Sequence, residues 1–104
     1  MSSAFDGGLA YASCIPNAGT STVAFRTQSG DFLSATYNGV GDYTLAFLNQ
    51  VDPAEACVSI ALRGNRGFAR IDNWTDAGFD VLITGAIGPA DIDFDVIITQ
   101  RPAN

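Results

Sequence analysis

Asp42-Tyr43-Thr44-Leu45-Ala46-Phe47 alternates large apolar residues with small or polar ones. Tyr43, Leu45 and Phe47 fall on one side of an extended chain, and Asp42, Thr44 and Ala46 on the other. A period of two is the signature of a half-buried β-strand, whose successive side chains point to opposite faces. The same rhythm recurs in Asp91-Ile92-Asp93-Phe94-Asp95-Val96-Ile97-Ile98, with Ile92, Phe94, Val96 and Ile98 aligned against Asp91, Asp93 and Asp95. Phe79, Val81 and Ile83 repeat it, as do Val58, Ile60 and Leu62 against Cys57, Ser59 and Ala61. Weaker candidates are Leu9–Ile15, Thr22–Arg26, Phe32–Asn38 and Phe68–Trp74.

Turn signals separate these runs: Gly7-Gly8, Asn17-Ala18-Gly19, Ser29-Gly30-Asp31, Asn38-Gly39, Gly64-Asn65, Ala77-Gly78 and Gly88-Pro89. Eight short strands at this spacing predict an all-β fold, an antiparallel two-sheet sandwich of jelly-roll-like type. Gly39-Val40-Gly41 suits a hairpin between Phe32–Asn38 and Asp42–Leu48. A longer loop from Gly85 to Ala90 joins Phe79–Thr84 to Asp91–Thr99, a second pairing guessed from proximity in the chain. Asp52-Pro53-Ala54-Glu55-Ala56 suits one helical turn or a loop. Residues 9–100 form a single domain, residues 1–8 an N-terminal arm, and residues 101–104 a tail.

Composition narrows the function. Hydrophobic residues make up 47% of the 104, charged ones 15%, and the net charge is −6. The charged fraction is low beside the roughly 25% of an average domain, which suggests that partners cover some of the surface. With five arginines, no lysine and an acidic balance, the chain lacks the basic footprint of a nucleic-acid binder. No apolar run is long enough for a membrane helix. Histidine is absent, which removes the commonest general base and zinc ligand. The expectation is therefore a non-enzyme without cofactor or resident metal.

Each candidate site has a plain structural role beside a functional one. Asp91, Asp93 and Asp95 do not make a helix–loop–helix calcium site, because the sixth and twelfth positions from Asp91 hold Val96 and Pro102 instead of Gly and Glu. They read as a solvated strand face that discourages unwanted pairing. Arg63, Asn65, Arg66 and Arg70 gather three of the five positive charges around one loop. Arginine forks grip carboxylate or phosphate, so this loop is a candidate contact for an acidic glycan or a neighbouring subunit, or else a solvated turn. Trp74, the single tryptophan, could stack on a sugar ring or close one end of the core. Asp72, Asp76 and Asp80 are the carboxylates from which a paired-acid hydrolase would have to be built. Cys14 and Cys57 read as two buried thiols, their pairing being unreadable from sequence.

The segments Gly19-Thr20-Ser21-Thr22-Val23-Ala24-Phe25-Arg26, Asn38-Gly39-Val40-Gly41-Asp42-Tyr43-Thr44-Leu45-Ala46-Phe47 and the acidic closing run Ala90–Ile98 resemble the small β-sandwich domains of tailed-phage virion exterior proteins. The resemblance covers roughly Leu9 to Gln100, and N-G-x-G-D-Y-T-x-x-F is its most specific piece. It implies a non-enzymatic structural protein of the virion exterior, commonly a homotrimer, that contacts other virion proteins and, in a host-attachment role as opposed to capsid decoration, a host-surface glycan. No coiled-coil or collagen-like shaft accompanies the domain, which favours a short spike or fibre, a baseplate component or a capsid decoration protein. A free-standing lectin-like carbohydrate-binding module is the alternative.

Overall fold

A computed structural model describes residues 9–64 and 67–100. The expected arm, the tail, and Asn65 and Arg66 of the arginine loop lie outside the described residues. The chain runs β1 (Leu9–Asn17), β2 (Thr22–Gln28), β3 (Phe32–Gly39), β4 (Asp42–Phe47), β5 (Ala56–Leu62), β6 (Phe68–Thr75), β7 (Gly78–Thr84) and β8 (Phe94–Gln100). All pairings are antiparallel, and they make two four-stranded sheets: sheet A in the order β2-β1-β8-β5 and sheet B in the order β3-β4-β7-β6. This is the two-sheet sandwich that the alternating runs predict. No helix among the described residues is long and apolar enough to cross a membrane.

The expected hairpin between β3 and β4 forms, with Ala35 opposite Leu45 and Tyr37 opposite Tyr43. The pairing guessed for the run after β7 does not, because β7 belongs to sheet B and β8 to sheet A. Thr84 and Pro89 make one bridge, and the connection then crosses to the other layer. There β8 becomes a central strand, with Cys14 of β1 and Leu62 of β5 both opposite Phe94. The candidate turn is a short 3-10 helix, Pro53–Glu55, whose start is capped by the Asp52 side chain accepting from the Ala54 amide at 2.9 Å.

The core is the set of inward side chains that the period of two selects. Tyr43, Leu45 and Phe47 of β4, Phe79, Val81 and Ile83 of β7, and Phe94, Val96 and Ile98 of β8 are all buried. Ala10, Ala12 and Cys14 line β1 with small side chains. Rings run across one part of the sandwich from Phe25 to Phe32, Phe47, Phe79 and Trp74, with successive centroids 6.0, 5.7, 5.6 and 5.8 Å apart. Those spacings lie within the favourable range for aromatic pairs. A second group joins Tyr37 to Tyr43 at 5.7 Å and Tyr43 to Phe94 at 5.5 Å, stacked across the two sheets.

Candidate functional site

Polar chemistry concentrates around Asp91, in the loop that carries the chain from sheet B to sheet A. Its carboxylate accepts three hydrogen bonds: from the Tyr43 hydroxyl at 2.5 Å, the Tyr37 hydroxyl at 2.7 Å and the Gly41 amide at 3.0 Å. The tyrosines face inward on β4 and β3, and the amide belongs to the turn between those strands. The fold thus brings a β3–β4 hairpin and a residue about 50 positions later onto one carboxylate. Asp91 therefore does not sit on the solvated strand face expected for it. β8 starts at Phe94, and Asp91 turns towards the tyrosines.

The electrostatics follow from this geometry. Burial opposes the charge on Asp91, but the hydrogen bonds from Tyr43, Tyr37 and Gly41 outweigh it and hold the carboxyl below its ordinary range. Burial, and then the hydrogen bond and charge of Asp91, push the Tyr43 hydroxyl far above the usual phenol value. Tyr37 is raised by its hydrogen bond to Asp91 and then by burial. The trio is an ionised acceptor locked to neutral donors. That arrangement ties strands together and makes poor nucleophiles of both hydroxyls.

The other acidic residues of the closing run are ion-paired on the outer side of sheet A. Arg26 reaches Asp93 at 3.1 Å, and the Nε of Arg63 donates to both oxygens of Asp95 at 3.0 and 2.9 Å. Arg63 also extends the β5–β8 ladder, its amide donating to the Asp93 carbonyl at 2.8 Å. Burial opposes the charge on Asp95, yet Ser13, Arg63 and Arg26 together lower its pKa. Both ion pairs are substantially exposed, and exposed pairs contribute about 0.2–1 kcal/mol. Arg63→Ala and Arg26→Ala should each destabilise the protein by less than about 1 kcal/mol. Urea denaturation at low and high salt checks this, with the difference from wild type shrinking as salt rises.

The predicted arginine and tryptophan set does not converge on one site. Arg63 is paired at the outer side of sheet A. Arg70 lies exposed opposite Leu82 on sheet B and makes no ion pair among the described residues. Trp74 is half-buried, with its ring edge-on to Phe79 at the end of the aromatic row, so it closes the core. Its indole N–H is shielded and has no hydrogen-bond partner among the described residues.

The outer face of sheet B carries a polar network centred on Asp80, one of the three carboxylates considered for a paired-acid site, with Thr44, Asn73 and Asn38 as partners that local sequence does not reveal. Asp80 accepts from Thr44 at 2.6 Å and from Asn73 at 2.8 Å, and Asn38 donates to Thr44 at 2.8 Å. Asn73 adopts a positive φ of 51° at an irregularity in β6, a conformation that asparagine tolerates better than most residues. Asp72 stands opposite Asp80 across β6 and β7, while the carbonyl of Asp76 accepts from the Val51 amide. No group of three or more His, Cys, Asp or Glu among the described residues is placed to hold a metal ion.

The cysteines point away from each other: both are free, Cys14 buried in the core and Cys57 exposed on the outer face of sheet A. The expectation of two buried thiols thus holds for Cys14 and fails for Cys57. Burial and then the charge of Asp95 push the Cys14 thiol up to about 12, so it stays protonated and unreactive near neutrality.

Comparison with protein-family models, with curated proteins and with solved structures finds no match to this chain in any of the three.

Proposed function

We propose that this chain is a non-enzymatic structural and interaction subunit on the exterior of a bacteriophage or phage-like particle. The junction at Asp91 supports the reading most. Gly41 and Tyr43 belong to the N-G-x-G-D-Y-T-x-x-F segment, and Asp91 belongs to the acidic closing run. Two of the three segments that carry the resemblance to virion proteins are thus bonded to each other and form one structural unit.

The use of charge favours the same reading. Asp91, Asp93 and Asp95 tie together segments that are distant in sequence. Such ties stiffen a block that must keep its shape. The outer face of sheet A exposes Leu9, Tyr11 and Ile97, large apolar groups of the kind that neighbouring chains cover in an assembly. The proposed subunit is homo-oligomeric and contacts other virion proteins, and the threefold count belongs to the resemblance alone. A lectin-like module would draw on Trp74 and Arg70. They lie on opposite faces of β6 and do not make a common platform, so the structural reading is preferred.

Gold-labelled antibody against the chain, applied to intact particles purified from the producing bacterial culture, tests the proposal by electron microscopy. Label on the particle exterior supports it, at fibre or spike tips for an attachment role and over the shell for decoration. Unlabelled particles, together with saturable binding of the purified chain to a glycan array, would overturn it in favour of the lectin-like module.

A further inference from the structure

Each sheet of the sandwich has two edge strands, and three of the four edges are guarded. β2 carries Arg26 and pairs with β1 through a register shift. β3 pairs with β4 through shifts near both ends. β6 carries Arg70 and Asp72 and is interrupted by an irregularity between Asp72 and Thr75. Bulges and charges are the usual means of preventing edge-to-edge pairing.

β5 has none of these protections. Its sequence, Ala56-Cys57-Val58-Ser59-Ile60-Ala61-Leu62, contains no charge and no proline. It pairs with β8 in unbroken register from Ala56 opposite Gln100 to Leu62 opposite Phe94. Hydrogen bonding alternates along an antiparallel pair. Because the Arg63 amide bonds to Asp93, the residues in step with Arg63 (Ala61, Ser59 and Cys57) turn their backbone groups to β8. Ala56, Val58, Ile60 and Leu62 therefore turn theirs to the open edge. The side chains of these same residues face the core and remain only partly buried.

We propose that the outer edge of β5, which no strand among the described residues pairs with, is a contact between two copies of this chain, which pair antiparallel about a two-fold axis through Ser59. Open amides and carbonyls at alternate residues of a strand without a bulge are completed by another strand, and β5 is complementary to itself. Centring the pair on Ser59 uses the whole strand. It places Val58 opposite Ile60, Ala56 opposite Leu62 and Cys57 opposite Ala61. Branched residues then meet branched ones, a small residue meets a large one, and no charges are opposed. The outward-turned residues fall in the hydrogen-bonded pairs of the new ladder, and Ser59 meets its own copy in a non-hydrogen-bonded pair. A contact as long as β5, about 24 Å at 3.4 Å per residue, and no deeper than the 22 Å short axis of the molecule buries at most roughly 1,000 Å² over both copies. That lies at the lower limit for a specific interface and fits a reversible dimer. This inference does not depend on the virion reading.

The test uses the full chain in sedimentation velocity and light scattering from about 1 to 500 µM, spanning the affinities expected of a small interface. Wild type should move from the 10.9 kDa chain mass towards twice that mass. Ser59 is exposed on the outer face, so charged substitutions there leave the core alone. Ser59→Asp and Ser59→Lys should each weaken association at least tenfold, and an equimolar mixture should restore the dimer. In a Cys57→Ser background, Ser59→Cys should cross-link under mild oxidation. A non-hydrogen-bonded pair brings Cα atoms to about 4.5 Å, within disulfide reach. A chain that stays monomeric throughout, as it would with its edge covered by a terminal segment, overturns the proposal. So does a threefold mass, or a dimer that Ser59→Asp leaves unchanged.

Discussion

Asp91→Ala should cost about 3–5 kcal/mol of stability, a large share of the roughly 5–15 kcal/mol that holds a small domain together. The Tyr43 side chain is fully buried, and its hydroxyl loses a charged acceptor at 2.5 Å. The Ala90 carbonyl, 3.5 Å away, is the alternative and a much weaker one. Tyr37 and the Gly41 amide lose the same acceptor. Tyr43 and the Gly41 amide are buried donors, and each left without a partner forfeits its desolvation cost, about 1–3 kcal/mol, whereas the Tyr37 hydroxyl reaches solvent and turns to water. Tyr43→Phe is the milder control, because it removes one donor and leaves the carboxylate with two. It should cost about 1–2 kcal/mol. Urea denaturation of both variants and the double mutant measures the coupling, and additivity would contradict a shared network.

The same network sets the pH profile. The Asp91 pKa is lower in the folded state than in the unfolded one. Its contribution is therefore complete above the ordinary aspartate value of about 3.9 and disappears as pH falls through the lower folded value. Tyr43 and Tyr37 are shifted upward. Their contribution is complete below the ordinary tyrosine value of about 10 and is lost as pH rises through the folded values. Asp91→Asn should flatten the acid limb, and Tyr43→Phe the alkaline one, in thermal melts across pH.

What could be read from the sequence follows from the range of each interaction. Tyr43, Leu45 and Phe47 were identifiable as core because alternation is local, and the β3–β4 hairpin because its connection is short. Asp91 was misread for a related reason. Ile92 is buried and continues the alternation of Phe94, Val96 and Ile98, although the strand itself begins only at Phe94. A pattern in side-chain burial does not reveal where backbone pairing begins. The partners of Arg63 and Arg26 lie 32 and 67 residues away, so their ion pairs depend on strand order. Composition carries no information about that order. The mutual support of Asp91, Tyr37 and Tyr43 was hidden for the same reason, since aromatic residues on a strand face suggest only burial.

Three glycine substitutions separate conformational strain from crowding, and Gly41→Ala should be the most damaging. Gly41 adopts φ +71°, and an added Cβ would lie 2.3 Å from the Ile83 carbonyl oxygen and 3.0 Å from the Ala90 amide nitrogen. Both are backbone atoms, so no side chain can rotate aside. The Gly41 carbonyl accepts from the Ile83 amide at 2.8 Å, and its own amide donates to Asp91 at 3.0 Å. Any shift that relieves the clash therefore disturbs both bonds. Gly30 has φ +98° with open space around it, so Gly30→Ala isolates the backbone penalty, about 1–2 kcal/mol. Gly39 has neither constraint, and Gly39→Ala should lie within about 1 kcal/mol of wild type. Gly41→Ala adds the broken contacts to the backbone penalty and should exceed about 3 kcal/mol, equivalent to a fall in Tm of about 12 °C or more. Equal melting temperatures for Gly30→Ala and Gly41→Ala would mean that Gly41 is kept for its φ alone. The turn would then have slack against Ile83 and Ala90, and the junction at Asp91 would not be the stiff tie on which the structural role rests.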